Sequence, residues 1–92
     1  MIEITVVQGP ACHLCEDAVA TIGELGRRLP VTLRTVEAAS PEGRGLLART
    51  RAQMLPVVLV GGELLGWGRL SRGRLGVRLA GLGVPVQSLG VW

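Results

Sequence analysis

The chain has 92 residues, enough for one domain that buries roughly 60–65% of the surface its unfolded form exposes. Apolar residues make up 48% of it, which excludes wholesale disorder, and with no Phe or Tyr the core has to be built from Leu, Val, Ile and Ala. The net charge is +3 and every basic residue is Arg, but there is no aromatic stacking platform, no phosphate-cradling glycine loop and no dense basic run, so no nucleic-acid partner is expected.

Ile2 to Val7 is β-branched and bounded by Gly9-Pro10, which predicts a buried strand. It carries Glu3 and no basic segment, unlike a secretory leader. The segment Ala11-Cys12-His13-Leu14-Cys15 then opens a helix whose apolar face is Leu14, Ala18, Ile22, Leu25 and Leu29. Glu16 and Asp17 fall in its first turns and Arg27 and Arg28 in its last, each at the end the helix dipole favours. Pro30 ends it, and Val31 to Val36 reads as a second strand.

Ser40-Pro41-Glu42 is a helix start, with Ser as cap and Pro in the first helical position, and the helix should run to about Thr50. Gly43 and Gly45 make it a poor one. Met54 to Val60 is the longest apolar run, far below the ~20 residues a membrane helix needs, so no membrane association is expected and a cytoplasmic location follows by default. Val57 to Val60 is the next strand, Gly61-Gly62 a hairpin turn, and Glu63 to Leu65 a short return strand broken by Gly66-Trp67-Gly68. Ser71 caps a last helix carrying Leu75, Leu79 and Leu82. Arg74 and Arg78, one turn apart on it, read as a solvated face. The domain is taken as 1–80. The tail 81–92 combines Pro85 and three glycines with apolar Val84, Val86, Leu89, Val91 and Trp92, and can pack on the domain or on a second subunit.

The order β-α-β-α-β-β-α opens with a βαβ unit and closes with a hairpin and a helix. One mixed sheet with helices on both faces satisfies the burial pattern.

The chemistry lies in Cys12 and Cys15. A Cys-x-x-Cys that follows a buried strand and opens an amphipathic helix, in a cytosolic chain, reads as a redox pair. A helix start carries unpaired N–H groups and about half a positive charge, which stabilises a thiolate there and lowers its pKa from ~8.5 into a range of roughly 3.5–7.5. Cys12 is the expected nucleophile and Cys15, one turn in, the expected resolving thiol. His13, as an imidazolium, would favour the Cys12 thiolate; read plainly, it is an exposed residue at a helix start. A closed zinc site needs four ligands and the chain offers only Cys12, Cys15 and His13, so no metal is expected within one chain.

The segments Gly-Pro-Ala-Cys-His-Leu-Cys-Glu-Asp-Ala at 9–18, Leu-Pro-Val-Val-Leu-Val at 55–60 and Gly-Glu-Leu-Leu-Gly-Trp-Gly-Arg-Leu at 62–70 together resemble the glutaredoxin branch of the thioredoxin superfamily, in particular small bacterial glutaredoxin-like domains with a Cys-His-Leu-Cys site. The resemblance spans about residues 2–80. It implies a thioredoxin fold with sheet order 2-1-3-4, a cis peptide bond before Pro56, and a Leu55 backbone that pairs with the bound peptide or glutathione. It also implies a thiol–disulfide oxidoreductase with no bound cofactor, acting on a disulfide-containing protein or a glutathione-mixed disulfide, with glutathione or another electron donor restoring the thiols. Trp67 either belongs to the hairpin end or lines the groove beside Cys12, and Arg69 is placed to receive a glutathione carboxylate. Two departures stand out. Gly9 occupies the place of a usual basic residue, and Gly66-Trp67-Gly68-Arg69 has no acid where the family usually has one. Two other uses of the pair stay open: a redox-sensing interaction module without turnover, and a metal or iron–sulfur carrier using Cys12 across a dimer.

Overall fold

The structure is a computed structural model and describes residues 1–90. Val91 and Trp92, the end of the expected tail, lie outside the described residues. The chain runs β1 (Ile2–Gln8), α1 (His13–Leu25), β2 (Val31–Glu37), α2 (Pro41–Thr50), β3 (Val57–Val60), β4 (Glu63–Trp67) and α3 (Arg72–Gly81), followed by a 3-10 turn at Val86–Leu89. The sheet order is β2-β1-β3-β4, with β1 and β2 parallel and the β1–β3 and β3–β4 pairs antiparallel. The mixed sheet is the one the element order predicts, and its strand order is the thioredoxin-like one that the resemblance implies.

The alternation of β1 sorts its side chains onto two faces. Ile4 and Val6 join Ala18, Ile22 and Leu25 of α1 and Leu75 and Leu79 of α3 in the larger core. Val7 points the other way and joins Val36, Val57 and Leu59 under α2. Burying a side chain such as Ile22 stabilises the fold by roughly 1.5–3 kcal/mol, and the larger core holds most such residues. Past α3, Val84 and Leu89 are buried in that same core.

Four local expectations are corrected. First, α1 ends at Leu25, before Arg27 and Arg28, so no basic residue sits in its last turn. The chain tightens there: the Arg27 and Arg28 N–H groups donate to the Glu24 and Leu25 carbonyls three residues back. Leu29 remains buried beyond the helix end. Second, β4 continues through Gly66 to Trp67 instead of breaking there, because a bulge between Val58 and Leu59 takes up the extra residue and lets Gly66 and Trp67 pair with Val58 and Val57. Third, Leu82 caps α3 at 47% exposure and does not join its buried face. Fourth, Arg74 and Arg78 are not simply a solvated face: their guanidinium groups donate to the Leu65 and Leu64 carbonyls at 2.9 and 3.2 Å, covering backbone acceptors of the edge strand β4.

Gly43 explains how so poor a helix as α2 packs at all. It is buried, and a Cβ there would run into the Glu37 carbonyl and lie 2.9 Å from the Cα of Ala38, so only glycine lets α2 approach the end of β2 this closely. Ser40 caps the helix as expected, accepting the Gly43 N–H at 3.0 Å. Among the described residues no helix is long and apolar enough to cross a membrane.

Candidate active site

Three connections leave the sheet at one end: the turn after β1, the segment before β3 and the segment after β4. The pairing puts them side by side, since Val7 lies opposite Val57 and Val57 opposite Trp67.

The first connection carries the cysteines. After Gly9-Pro10 the backbone turns at Ala11 with φ +51°, a left-handed conformation that costs a non-glycine residue of order 1 kcal/mol. The turn leaves Cys12 extended, at φ −118° and ψ 101°, as the cap residue of α1, so the helix begins at His13 and not at Ala11. Cys12 therefore takes the place where a Ser or Asp usually accepts the first free N–H groups. Its Sγ accepts the Cys15 N–H at 3.1 Å, and its carbonyl accepts the Glu16 N–H at 3.1 Å. A negative charge on that sulfur would meet both a directed hydrogen bond and the positive end of the helix.

Cys12 and Cys15 are joined in a disulfide, with their Cα atoms 5.2 Å apart. The two sulfurs have different surroundings. Cys12 is partly exposed, whereas Cys15 is 2% exposed and faces the core below α1. An incoming thiol or disulfide meets Cys12 first.

His13 pairs with the next turn of its own helix. Its side chain is 99% exposed, and its Nδ1 lies 3.4 Å from a Glu16 carboxylate oxygen, the following turn of the same helix.

The second connection brings Leu55 and Pro56 to the cysteine loop. The Leu55–Pro56 bond is cis. Leu55 packs over Gly9, three residues before Cys12: a Cβ on Gly9 would lie 2.8 Å from Leu55 Cδ1. The Pro56 carbonyl accepts the Gly68 N–H at 2.9 Å, which ties the third connection to the second. Trp67, at 40% exposure, closes β4, and exposed Arg69 follows. With Gly66, Ser71 and Arg74 they line a cleft of about 30 Å³.

The Gly9–Leu55 contact thus joins the Leu55-Pro56 segment to the loop that leads into Cys12 and Cys15, and Trp67 and Arg69 stand at the same end of the sheet. Met54 belongs with them and escaped the sequence reading. It is 54% exposed, and its Sδ and Cε lie 3.7 Å from where a Gly68 Cβ would be. The usable signal was its place directly before Leu55-Pro56, masked by the apolar run it begins. Among the described residues no group of three or more His, Cys, Asp or Glu side chains is gathered as metal ligands would be.

No protein-family model matches the chain, and no curated protein matches it significantly. The fold and the disulfide geometry stand without that support. They are compatible with redox chemistry.

Proposed function

We propose that this is a glutaredoxin-like thiol–disulfide oxidoreductase that reduces protein or glutathione-mixed disulfides in the cytoplasm. The observation that carries the reading is the Cys12 sulfur held as the cap of α1, accepting the Cys15 N–H, with Cys15 shielded beneath it. That arrangement favours a thiolate on the accessible cysteine and keeps its neighbour for the second step.

In the reduced protein the Cys12 thiolate attacks one sulfur of the substrate disulfide. A Cys12–substrate disulfide forms, and the other substrate sulfur leaves as a thiolate and takes a proton from water. Cys15, having lost its proton, then attacks Cys12 Sγ. The Cys12–Cys15 disulfide forms and the second substrate thiol is released. Two electrons pass from protein to substrate, and two equivalents of an external thiol, such as glutathione, or one dithiol donor, return them. On this reading Leu55, Pro56, Trp67 and Arg69 meet the substrate, and His13 is the exposed neighbour of Cys12 in sequence.

The test is reduction of insulin and of a glutathione-mixed disulfide by the purified protein with a dithiol donor. Cys12→Ser should abolish turnover. Cys15→Ser should keep the first step and accumulate the mixed disulfide, visible as a mass adduct. Undiminished activity in Cys12→Ser would falsify the reading.

A further inference from the structure

The rim of the site is apolar where a small charged thiol would need partners. Gly9 lies under Leu55, so the floor beside the cysteine loop is closed by a hydrocarbon side chain. Met54 and Trp67 are 54% and 40% exposed, two of the few large apolar side chains the described chain leaves in water, and both stand on the connections that flank Pro56. Pro10 and Ala11 are exposed on the remaining side. Across residues 9–12, 52–57 and 66–70 the one charged side chain is Arg69.

Resting on the oxidoreductase reading, we infer that the site selects disulfides within polypeptides whose residues beside the cysteine are apolar, and discriminates against glutathione. Glutathione at neutral pH carries two carboxylates and one ammonium group. Arg69 can receive one carboxylate. The three segments hold no acid for the ammonium, and the second cation of the cleft, Arg74, already donates to the Leu65 carbonyl, so docking would strip water from charges without fully replacing it. An apolar polypeptide segment carries no such charges next to its sulfur, and it removes Met54 and Trp67 from water as it docks. The charge pattern of the rim therefore matches the second partner and opposes the first.

The experiment uses the reduced, full-length protein and three substrates in which one chromogenic aryl thiol is disulfide-linked to glutathione, to a peptide Cys flanked by Leu and Val, or to a peptide Cys flanked by Ser and Gly. Attack by Cys12 forms its disulfide with the peptide or glutathione sulfur and expels the aryl thiolate, whose absorbance gives the second-order rate constant. The Leu/Val peptide should react about tenfold or more faster than the glutathione substrate, with the Ser/Gly peptide between them. Trp67→Ser and Met54→Ser should each shrink the Leu/Val-to-glutathione ratio severalfold. Leu82→Ser, which removes an exposed apolar residue at the far end of α3, should leave the ratio unchanged. Equal rates for the three substrates, or a faster glutathione substrate, overturn the inference and leave the oxidoreductase reading standing. No reaction with any of them overturns both.

Discussion

The two faces of the sheet are held by different means. On one, α1 and α3 press Ile22, Leu75 and Leu79 against Ile4, Val6, Val58 and Val60 in a layer closed to water. On the other, α2 offers only half-buried Leu46 and Leu47, and it holds on through the close approach at Gly43 and the ion pairs of Arg34 with Glu42 and Glu3. The deep face anchors the helix that carries the cysteines. The shallow face anchors α2, which leads into the 51–56 segment and so into Leu55-Pro56. The cysteine side of the site therefore rests on buried area and its proline side on fit.

The largest expected effect breaks the deep face. Ile22→Ala should destabilise the protein by about 2–5 kcal/mol, read as a lower urea midpoint with an unchanged slope. Leu47→Ala, on the shallow face, should cost about 1–2 kcal/mol, because that side chain is only partly buried. Equal losses at the two positions would erase the contrast.

The contrast sharpens within α2, where two glycines stand one residue apart in different surroundings. Gly43→Ala forces a methyl into backbone that cannot swing aside, and should cost about 2–3 kcal/mol. Gly45 has nothing within 4 Å of its missing Cβ. Gly45→Ala should therefore stabilise the protein by about 0.5–1 kcal/mol, the ordinary helix preference for Ala over Gly. Thermal melts of the two single variants read the sign directly. Because α2 supports the proline side, Gly43→Ala should also slow disulfide reduction while leaving the helical dichroism of α1 in place.

That pair shows where a sequence reading stops. The strands, the helix stripe Ala18, Ile22 and Leu25, and the cap at Ser40 were legible because each is a local pattern of apolar spacing or of side chain to nearby N–H. The placement of the cysteines at a helix start was legible for the same reason, although the cap role of Cys12 emerged only from its backbone angles. Both α2 glycines looked like helix defects. Gly43 proves necessary through Glu37 and Ala38, which are near in space but on another element. Arg74 and Arg78 looked like charges for water, and their partners are carbonyls of a strand whose edge position follows from the whole sheet. The Gly9–Leu55 contact joins positions 46 residues apart by subtraction of their numbers, and no periodicity reports it.

The smallest expected effect tests the ionic part of the shallow face. Arg34 on β2 donates two hydrogen bonds to Glu42 at 2.9 and 2.7 Å and one to Glu3 at 3.3 Å, joining the first turn of α2 to β1 and β2. The hydrogen bonds from Arg34, helped by its charge, hold the Glu42 carboxyl below its ordinary value of 4.5. The same contacts raise the Arg34 guanidinium, which is charged throughout the acid range in any case. A carboxyl depressed in the folded state binds fewer protons there than in the unfolded chain. Its contribution is therefore fully present above the unfolded value near 4.5 and is lost as pH falls through the lower folded value. Glu42→Gln should remove that part of the acid limb, so that urea midpoints at about pH 3 and about pH 7 lie closer together than in the parent protein. Both groups are well exposed, so the difference should be small and should fade in about 1 M salt, where charges are screened over about 3 Å. An undiminished acid limb in Glu42→Gln would mean that α2 is held by the Gly43 approach and its half-buried leucines alone.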